Sequence, residues 1–220
     1  MPSNDSASKA IELCSDDLLT IAVEQPAAAQ ALAAALRANP EWLEVVPGID
    51  SVVVQFDPVL TSIDAAIGAV RETIDAGVPR LDVSDELIEI PVIYGGDAGP
   101  DFADVCEQAG LSAEELIALH TGREYRVDLV GFTPGFVYVG GLDDALSVPR
   151  RAEPRQHVPA GSVGIADGRT GLYALPGPGG WPLIGRTTFT LFDAQAANPF
   201  PIQAGMRLQF TAVQPEDAGQ

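Results

Sequence analysis

Glycine and proline crowd one stretch of this chain: eleven of its 22 glycines and seven of its 18 prolines fall between Pro134 and Gly185. A backbone punctuated so often is held to short segments and close, unusual turns. β-like runs sit between and around those turns at Tyr125 to Phe132, Val137 to Val139, Ser162 to Ala166, Gly171 to Leu175, Phe189 to Phe192 and Arg207 to Val213. Many short strands with Gly/Pro-rich links predict a β-barrel or sandwich over this half.

The first 90 residues have a different rhythm. A β-like run, Leu18 to Val23, precedes an Ala/Leu-rich helix opened by Pro26 and stopped near Asn39-Pro40. Two more β-like runs, Trp42 to Val46 and Val52 to Phe56, flank the turn Pro47-Gly48-Ile49-Asp50. A second helix, about Ser62 to Ala76, carries Ile63, Ile67, Val70 and Ile74 on one face, and Leu87 to Ile93 reads as the last strand. That order, βαββαβ, is the ferredoxin-like arrangement. Between the halves, Asp101 to Gln108 is a short helix ending at Gly110, and Ser112 with Glu115 forms a capping box for another that ends near His120-Thr121-Gly122. The expected plan is α+β: a disordered lead over 1–10, a ferredoxin-like domain over 11–90, a barrel domain over 91–213 and a tail over 214–220.

At 220 residues the chain is long enough for a substantial core. Its formal charge of −19 sets it against nucleic acid as a partner, because a phosphate backbone requires a positive field. No apolar run approaches a membrane span, and the N-terminus lacks the basic and apolar regions of a secretory signal, so a cytoplasmic location is expected. Cys14 and Cys106, without CxxC spacing, read as buried thiols of a reducing compartment.

Chemistry is concentrated late. Arg123, Arg126, Arg150, Arg151, Arg155, Arg169 and Arg186 lie within 64 residues of an acidic chain, with both histidines in the same region. Guanidinium groups gathered this way can hold a carboxylate or phosphate in bidentate fashion, or can pair singly with surface carboxylates. His120 suits either a helix C-terminus or proton transfer near neutral pH, and His157 has the weaker functional case. Two histidines 37 residues apart without nearby cysteine do not make a metal site. HVPAGSVGIADGRTG, residues 157–171, invites a phosphate loop or a nucleophile and supports neither. A Walker loop needs Gly-Lys-Ser/Thr, and the one lysine is Lys9; Ser162 in AGSVG is a residue short of GxSxG spacing. What remains is a barrel turn and strand, its glycines letting the backbone approach a ligand or partner closely.

Six ordered blocks, YGGDAGPDF, LHTGREYRV, GFTPGFVYVGGL, VPRRAEPRQHVPAGSVGIA, TGLYALPGPGGW and LIGRT, span about Tyr94 to Thr187, with weaker agreement in VPGIDSVVVQFDP. Together they resemble the B-subunit family of the prokaryotic 5-oxoprolinases, which includes the Kip-type inhibitor of a sporulation histidine kinase and the allophanate hydrolase subunit 1 domain. His157 stands where an arginine is expected, Glu153 where a threonine is usual and Pro182 where a glutamine is common; the first two remove positive charge from the loop.

The resemblance implies a ferredoxin-like domain followed by a cyclophilin-like β-barrel. It implies a cyclophilin-like partner, the C component, and a third, the A component, the three together hydrolysing 5-oxo-L-proline to L-glutamate. ATP is the co-substrate of that complex, although no recognisable ATP motif lies in this chain. Kinase inhibition, or a place in a urea- or allophanate-processing enzyme, are the alternatives, which gene neighbourhood separates. For the lactam-hydrolysing reading, Arg151, Arg155 and Arg186 are the expected anion clamp, with His120 for proton transfer. Tyr94, Gly95, Gly96 and Pro134-Gly135-Phe136 are expected to shape the pocket wall or the contact with the C component, with Ser162 and Thr187 completing the binding set.

Overall fold

In the computed structural model, residues 10–79 and 86–214 are described. The expected lead (1–10) and tail (214–220) fall outside that range except for Ala10 and Gln214. The chain divides into two compact units, Met1–Asp82 and Val83–Gln220.

In the first unit, β1 (Ile11–Ser15) and β2 (Leu18–Ala22) form a hairpin. They are followed by α1 (Pro26–Leu36), β3 (Trp42–Pro47), β4 (Ser51–Phe56) and α2 (Ile63–Asp75). The antiparallel sheet has the order β1-β2-β4-β3. Strict alternation along β4 sends Val52, Val54 and Phe56 to one face, where they share a core with Leu19, Ile21, Leu32, Leu36, Ala66 and Val70. Alanines at 29 and 33 on the buried face of α1 let that helix lie close to the sheet. Ser62 caps α2, its Oγ accepting from the Ala65 N–H at 3.3 Å.

This arrangement corrects the expected βαββαβ order, because the described elements run ββαββα. Leu87–Tyr94 is β5, and it pairs with barrel strands instead of completing the first sheet. The edge beside β2 is taken by β1, a hairpin partner at the other end of the segment. The physical reason is burial: a hairpin already pairs that edge, whereas Ile90 and Val92 are wholly buried in the barrel core.

In the second unit, β5 is followed by α3 (Phe102–Ala109) and α4 (Ala113–Thr121). Then come β6 (Glu124–Val130), β7 (Val137–Gly140), β8 (Arg155–Val158), β9 (Ser162–Ala166) and β10 (Arg169–Leu172). The last strands are β11 (Gly177–Gly179), β12 (Leu183–Thr187) and β13 (Arg207–Ala212). Seven of these close a barrel in the order β10-β7-β6-β13-β5-β12-β9, and β8 pairs with β11 in a separate ribbon. The first and last barrel strands, β5 and β13, lie side by side in parallel. Valine, isoleucine, leucine and aromatic side chains of the strands fill the interior, joined by Phe102, Val105 and Leu116 of the two helices. The capping box forms as the sequence predicts: Ser112 Oγ accepts from the Glu115 N–H, and the Glu115 carboxylate accepts from the Ser112 N–H.

The expected strand Phe189 to Phe192 is not formed; the strand lies earlier, at β12, where Gly185 leaves room. A Cβ at Gly185 would stand 2.6 Å from the Ile93 carbonyl oxygen and 2.7 Å from Val92. Backbone and side chain of β5 therefore press on this strand directly, a requirement that strand propensity does not encode. The thiols also differ from expectation, Cys14 being exposed and Cys106 half-buried. No helix among the described residues is long and apolar enough to cross a membrane.

Candidate functional site

Asp101 organises a cluster of charged side chains in the barrel unit. It stands at the start of α3 with a side chain 6% exposed, and its carboxylate gathers four donated hydrogen bonds. Arg155 donates from Nη1 to Oδ2 and from Nη2 to Oδ1, both at 2.8 Å, in a bidentate fork. Arg151 donates from Nη1 to Oδ1 at 2.8 Å, and the Leu183 backbone N–H reaches Oδ2 at 2.7 Å. Burial by itself would raise the Asp101 pKa. The hydrogen bonds from Arg155 and Leu183, with the charges of Arg155 and Arg151, outweigh it and hold the carboxyl below its ordinary value. Three segments distant in sequence are thereby tied together: the start of α3, β8 with the loop before it, and β12.

Beside this cluster opens a cleft of 470 Å³ lined by Asp104 and Gln108 of α3, Arg150, Arg151, Glu153 and Pro182. Its electrostatics are mixed, Arg150 and Arg151 sharing the lining with the carboxylates of Asp101, Asp104 and Glu153. Arg150 is partly engaged, with Nε 3.0 Å from Asp167 and its guanidinium carbon 5.9 Å from the Trp181 ring centroid.

Two of the three arginines expected to clamp a ligand are therefore already paired. Arg155 spends both terminal nitrogens on Asp101. Arg151 spends one and keeps a buried Nε without a partner. Arg186 shares the unpartnered buried Nε with Arg151 but differs from both in that, among the described residues, no carboxylate pins its guanidinium as Asp101 pins theirs. It stands on β12 directly across from Ser162 of β9, whose fully buried Oγ is also unpartnered. A Cβ at Gly161 would lie 3.3 Å from Arg186 Cγ, so the Pro159-Ala160-Gly161 turn rests on the arginine stem. The neighbouring Thr187 is buried, with Oγ1 accepting from the Phe189 N–H at 3.0 Å.

His120 lies apart from these groups, fully buried at the end of α4 against Phe210, whose ring centroid is 4.4 Å away. Its hydrogen bonds fix the tautomer. Thr170 donates to the Gly164 carbonyl at 3.2 Å, so its hydroxyl oxygen accepts from His120 Nε2–H at 3.1 Å. Nδ1 is then the bare nitrogen, accepting from the Tyr94 hydroxyl at 2.7 Å. Burial lowers the imidazole pKa to about 3, which keeps the ring neutral at pH 7, and burial likewise raises the Tyr94 hydroxyl well above its ordinary range. With both nitrogens occupied inside the wall, His120 holds Tyr94 and Thr170 in place; nothing in that position lets it pass a proton to a ligand at the surface.

The remaining expected residues scatter. Gly95 and Gly96 adopt φ of +69° and +51° in the turn after β5, the Gly95 N–H donating to the Ile184 carbonyl at 3.0 Å. Phe136 is buried in an aromatic group with Tyr138, Tyr173 and Trp181, centroids 4.7 to 5.8 Å apart. His157 is exposed on β8. The structure thus sets Arg186 across from Ser162, with Thr187 next along β12 on the opposite face of the strand, and separately brings together Arg151 with Arg155, while Tyr94 with His120 belongs to the barrel interior. Asp101 is the site residue that sequence reasoning misses. Its signal is present in YGGDAGPDF, an acid placed after a turn and before a helix, but its partners stand 50 and 54 residues downstream. Among the described residues, no group of three or more His, Cys, Asp and Glu side chains is gathered to hold a metal ion.

Comparison with known proteins agrees with this architecture. The profile of the carboxyltransferase domain, subdomain C and D, matches residues 9–202. The B subunit of the 5-oxoprolinase of Escherichia coli O157:H7 is 42% identical over 172 residues, covering 78% of each chain. The crystal structure of TTHA0988 superposes with a TM-score of 0.74 at 34% identity, covering 90% of this chain but 40% of that one. This chain therefore spans about two fifths of that longer protein. The urea amidolyase of K. lactis matches with a TM-score of 0.77 at 15% identity, over 99% of this chain and 16% of that one, which is a likeness of fold.

Proposed function

The chain belongs to the B-subunit family of the 5-oxoprolinases, and from that premise we propose that it works as the B component of an ATP-dependent complex with A and C components. The reaction is hydrolysis of 5-oxo-L-proline to L-glutamate. The observation that carries this reading is the 42% identity to a 5-oxoprolinase B subunit over 78% of the chain. We further read the barrel as cyclophilin-like and the protein as cytoplasmic.

A lactam is a poor electrophile. In the proposed sequence the γ-phosphoryl group of ATP is transferred to the lactam carbonyl oxygen, releasing ADP. Water adds to the activated carbon, and the ring C–N bond breaks as the nitrogen takes up a proton, leaving an acyl phosphate. A second water cleaves that acyl phosphate to glutamate and inorganic phosphate. Cations are needed to hold the substrate carboxylate and to offset the phosphoryl charge. Arg186, which no carboxylate among the described residues pins, is the group suited to the carboxylate, with Ser162 across from it, Thr187 next along the strand, and Arg151 presenting its remaining N–H groups at the cleft. Arg155 acts through Asp101, fixing the position of Arg151. On this reading the chain supplies part of a site that its partners complete.

Co-purification with the A and C components, followed by kinetics of the assembled complex, tests the assignment. Arg186→Ala is expected to lower kcat/KM for 5-oxoproline by about 10- to 100-fold, the value of one charged hydrogen-bonding contact, with the thermal transition of the chain nearly unchanged. Unaltered turnover in both Arg186→Ala and Arg151→Ala would end the clamp assignment.

A further inference from the structure

The cleft beside Asp101 holds charges of both signs that the fold leaves unmatched. Asp101 itself is balanced, its carboxylate met by Arg155, Arg151 and the Leu183 N–H. Around it the balance ends. Arg151 keeps a buried Nε without an acceptor, and among the described residues its Nη2 has none either. Arg150 meets Asp167 through Nε, which leaves both of its terminal nitrogens without a hydrogen bond among the described residues. Opposite in sign, Asp104 and Glu153 line the same cleft, and among the described residues neither carboxylate has a hydrogen bond or an ion pair. Val105, Pro149 and Pro182 supply apolar wall, and the volume of 470 Å³ lies in the range of small-molecule sites.

Ligands of a single sign suit this lining poorly. A polyphosphate would satisfy the guanidinium groups but set its charge against Asp104 and Glu153, in a chain whose formal charge is already −19. A simple amine would suit the two carboxylates and leave the buried Arg151 Nε without an acceptor. A short molecule carrying both a carboxylate and an ammonium group answers both needs, and α-amino acids are that class. An amino acid with a second carboxylate finds further donors in Arg150 and in the Gln108 amide. The distinction bears on the proposed reaction. In 5-oxo-L-proline the nitrogen is acylated within the ring and neutral, so it offers Asp104 and Glu153 no charge. In L-glutamate the opened ring leaves an ammonium group.

We propose that this cleft is an amino-acid site that selects product over substrate. The Arg151 guanidinium takes the α-carboxylate of L-glutamate, Asp104 and Glu153 take its ammonium group, and Arg150 with Gln108 takes the side-chain carboxylate. The choice of glutamate rests on the reading of the chain as part of a 5-oxo-L-proline-hydrolysing complex; the preference for a zwitterion rests on the cleft alone. Because Arg151 also serves the reaction in that reading, bound glutamate withdraws it, and accumulated product slows turnover.

Titration calorimetry of the full chain at pH 7 reads the preference. L-Glutamate binds, whereas N-acetyl-L-glutamate, which keeps both carboxylates and loses the ammonium charge, binds at least about tenfold more weakly, as does 5-oxo-L-proline. In Asp104→Asn/Glu153→Gln, two exposed positions where shape is kept and charge removed, glutamate binding weakens by about tenfold and the gap to the N-acetyl form closes. In the assembled complex, added glutamate lowers the initial rate, and the double variant needs about tenfold more of it for the same inhibition. Equal binding of glutamate and its N-acetyl form, or tighter binding of inorganic phosphate, would reduce the cleft to an anion site and overturn the proposal. Absence of glutamate binding at about 10 mM would do the same. A complex that hydrolyses 5-oxo-L-proline while the chain binds no glutamate overturns the cleft assignment and leaves the functional reading intact. A complex inactive on 5-oxo-L-proline, whose chain still binds glutamate through Asp104 and Glu153, upholds the amino-acid site and overturns its link to the reaction.

Discussion

Replacing Asp101 with asparagine is expected to destabilise the barrel unit by about 3 kcal/mol and to lower its Tm by roughly 10 °C. The substitution preserves shape and removes charge, leaving two guanidinium groups beside each other without a counter-ion. The Arg151 and Arg155 side chains are 35% and 23% exposed, so solvent screens part of the loss. The figure is accordingly set at the low end for a broken buried ion pair. The chain has two tryptophans, Trp42 in the first unit and Trp181 in the barrel, so a Trp42→Phe background leaves Trp181 fluorescence as the reporter of barrel unfolding. The pH dependence carries a sign. A carboxyl whose folded pKa lies below its unfolded value of 3.8 contributes stability that is present above that value and disappears as pH falls through the folded pKa. The asparagine variant lacks this acid limb. A Tm within 2 °C of wild type would mean that the arginines are held by something other than Asp101.

The second large effect belongs to His120. Its folded pKa of about 3 lies below the unfolded 6.5, so between those values the unfolded chain binds a proton that the folded chain refuses. The stability this neutral ring contributes is complete above pH 6.5 and is lost as pH falls, at ~1.4 kcal/mol per pH unit across the window. His120→Phe removes that slope whatever its effect on stability at pH 7, which includes stranding the Tyr94 and Thr170 hydroxyls. Denaturant midpoints at pH 7, 6, 5 and 4 measure the slope directly. In the wild type, imidazole nitrogen shifts that keep the Nε2–H tautomer down to pH 5 are expected; a ring that titrates near 6.5 would contradict burial of the hydrogen-bonded chain.

Local chemistry was legible where it is decided locally. The Ser112–Glu115 capping box, the helix expected from about Ser62 and strand β9 at Ser162–Ala166 each follow from a few neighbouring residues, and each forms. Partner choice over long range was not legible. The strand at Leu87–Tyr94 has the right pattern to finish the first sheet, yet it is claimed by β12 and β13, between which its side chains complete the barrel core. Nothing in IELCS announces that it takes the vacated edge.

The candidate site shows the same division. A cluster of arginines is visible in the sequence, but which of them is available depends on a carboxylate brought from about 50 residues away. Arg151 and Arg155 look equivalent to Arg186 until Asp101 is placed, after which Arg186 stands apart from the pair that Asp101 holds. Likewise the histidine near neutral pKa by type is far from it in place, because the same Tyr94 that reads as a pocket wall closes over its ring.

Glutamate release from 5-oxo-L-proline and ATP, measured with the A and C components in the presence and absence of this chain, decides the functional assignment. The expected result is stoichiometric glutamate, ADP and phosphate when all three are present, and none from this chain alone or from the other two without it. Glutamate release by this chain alone, or a full rate from the A and C components in its absence, would contradict its assignment as a required part of the complex.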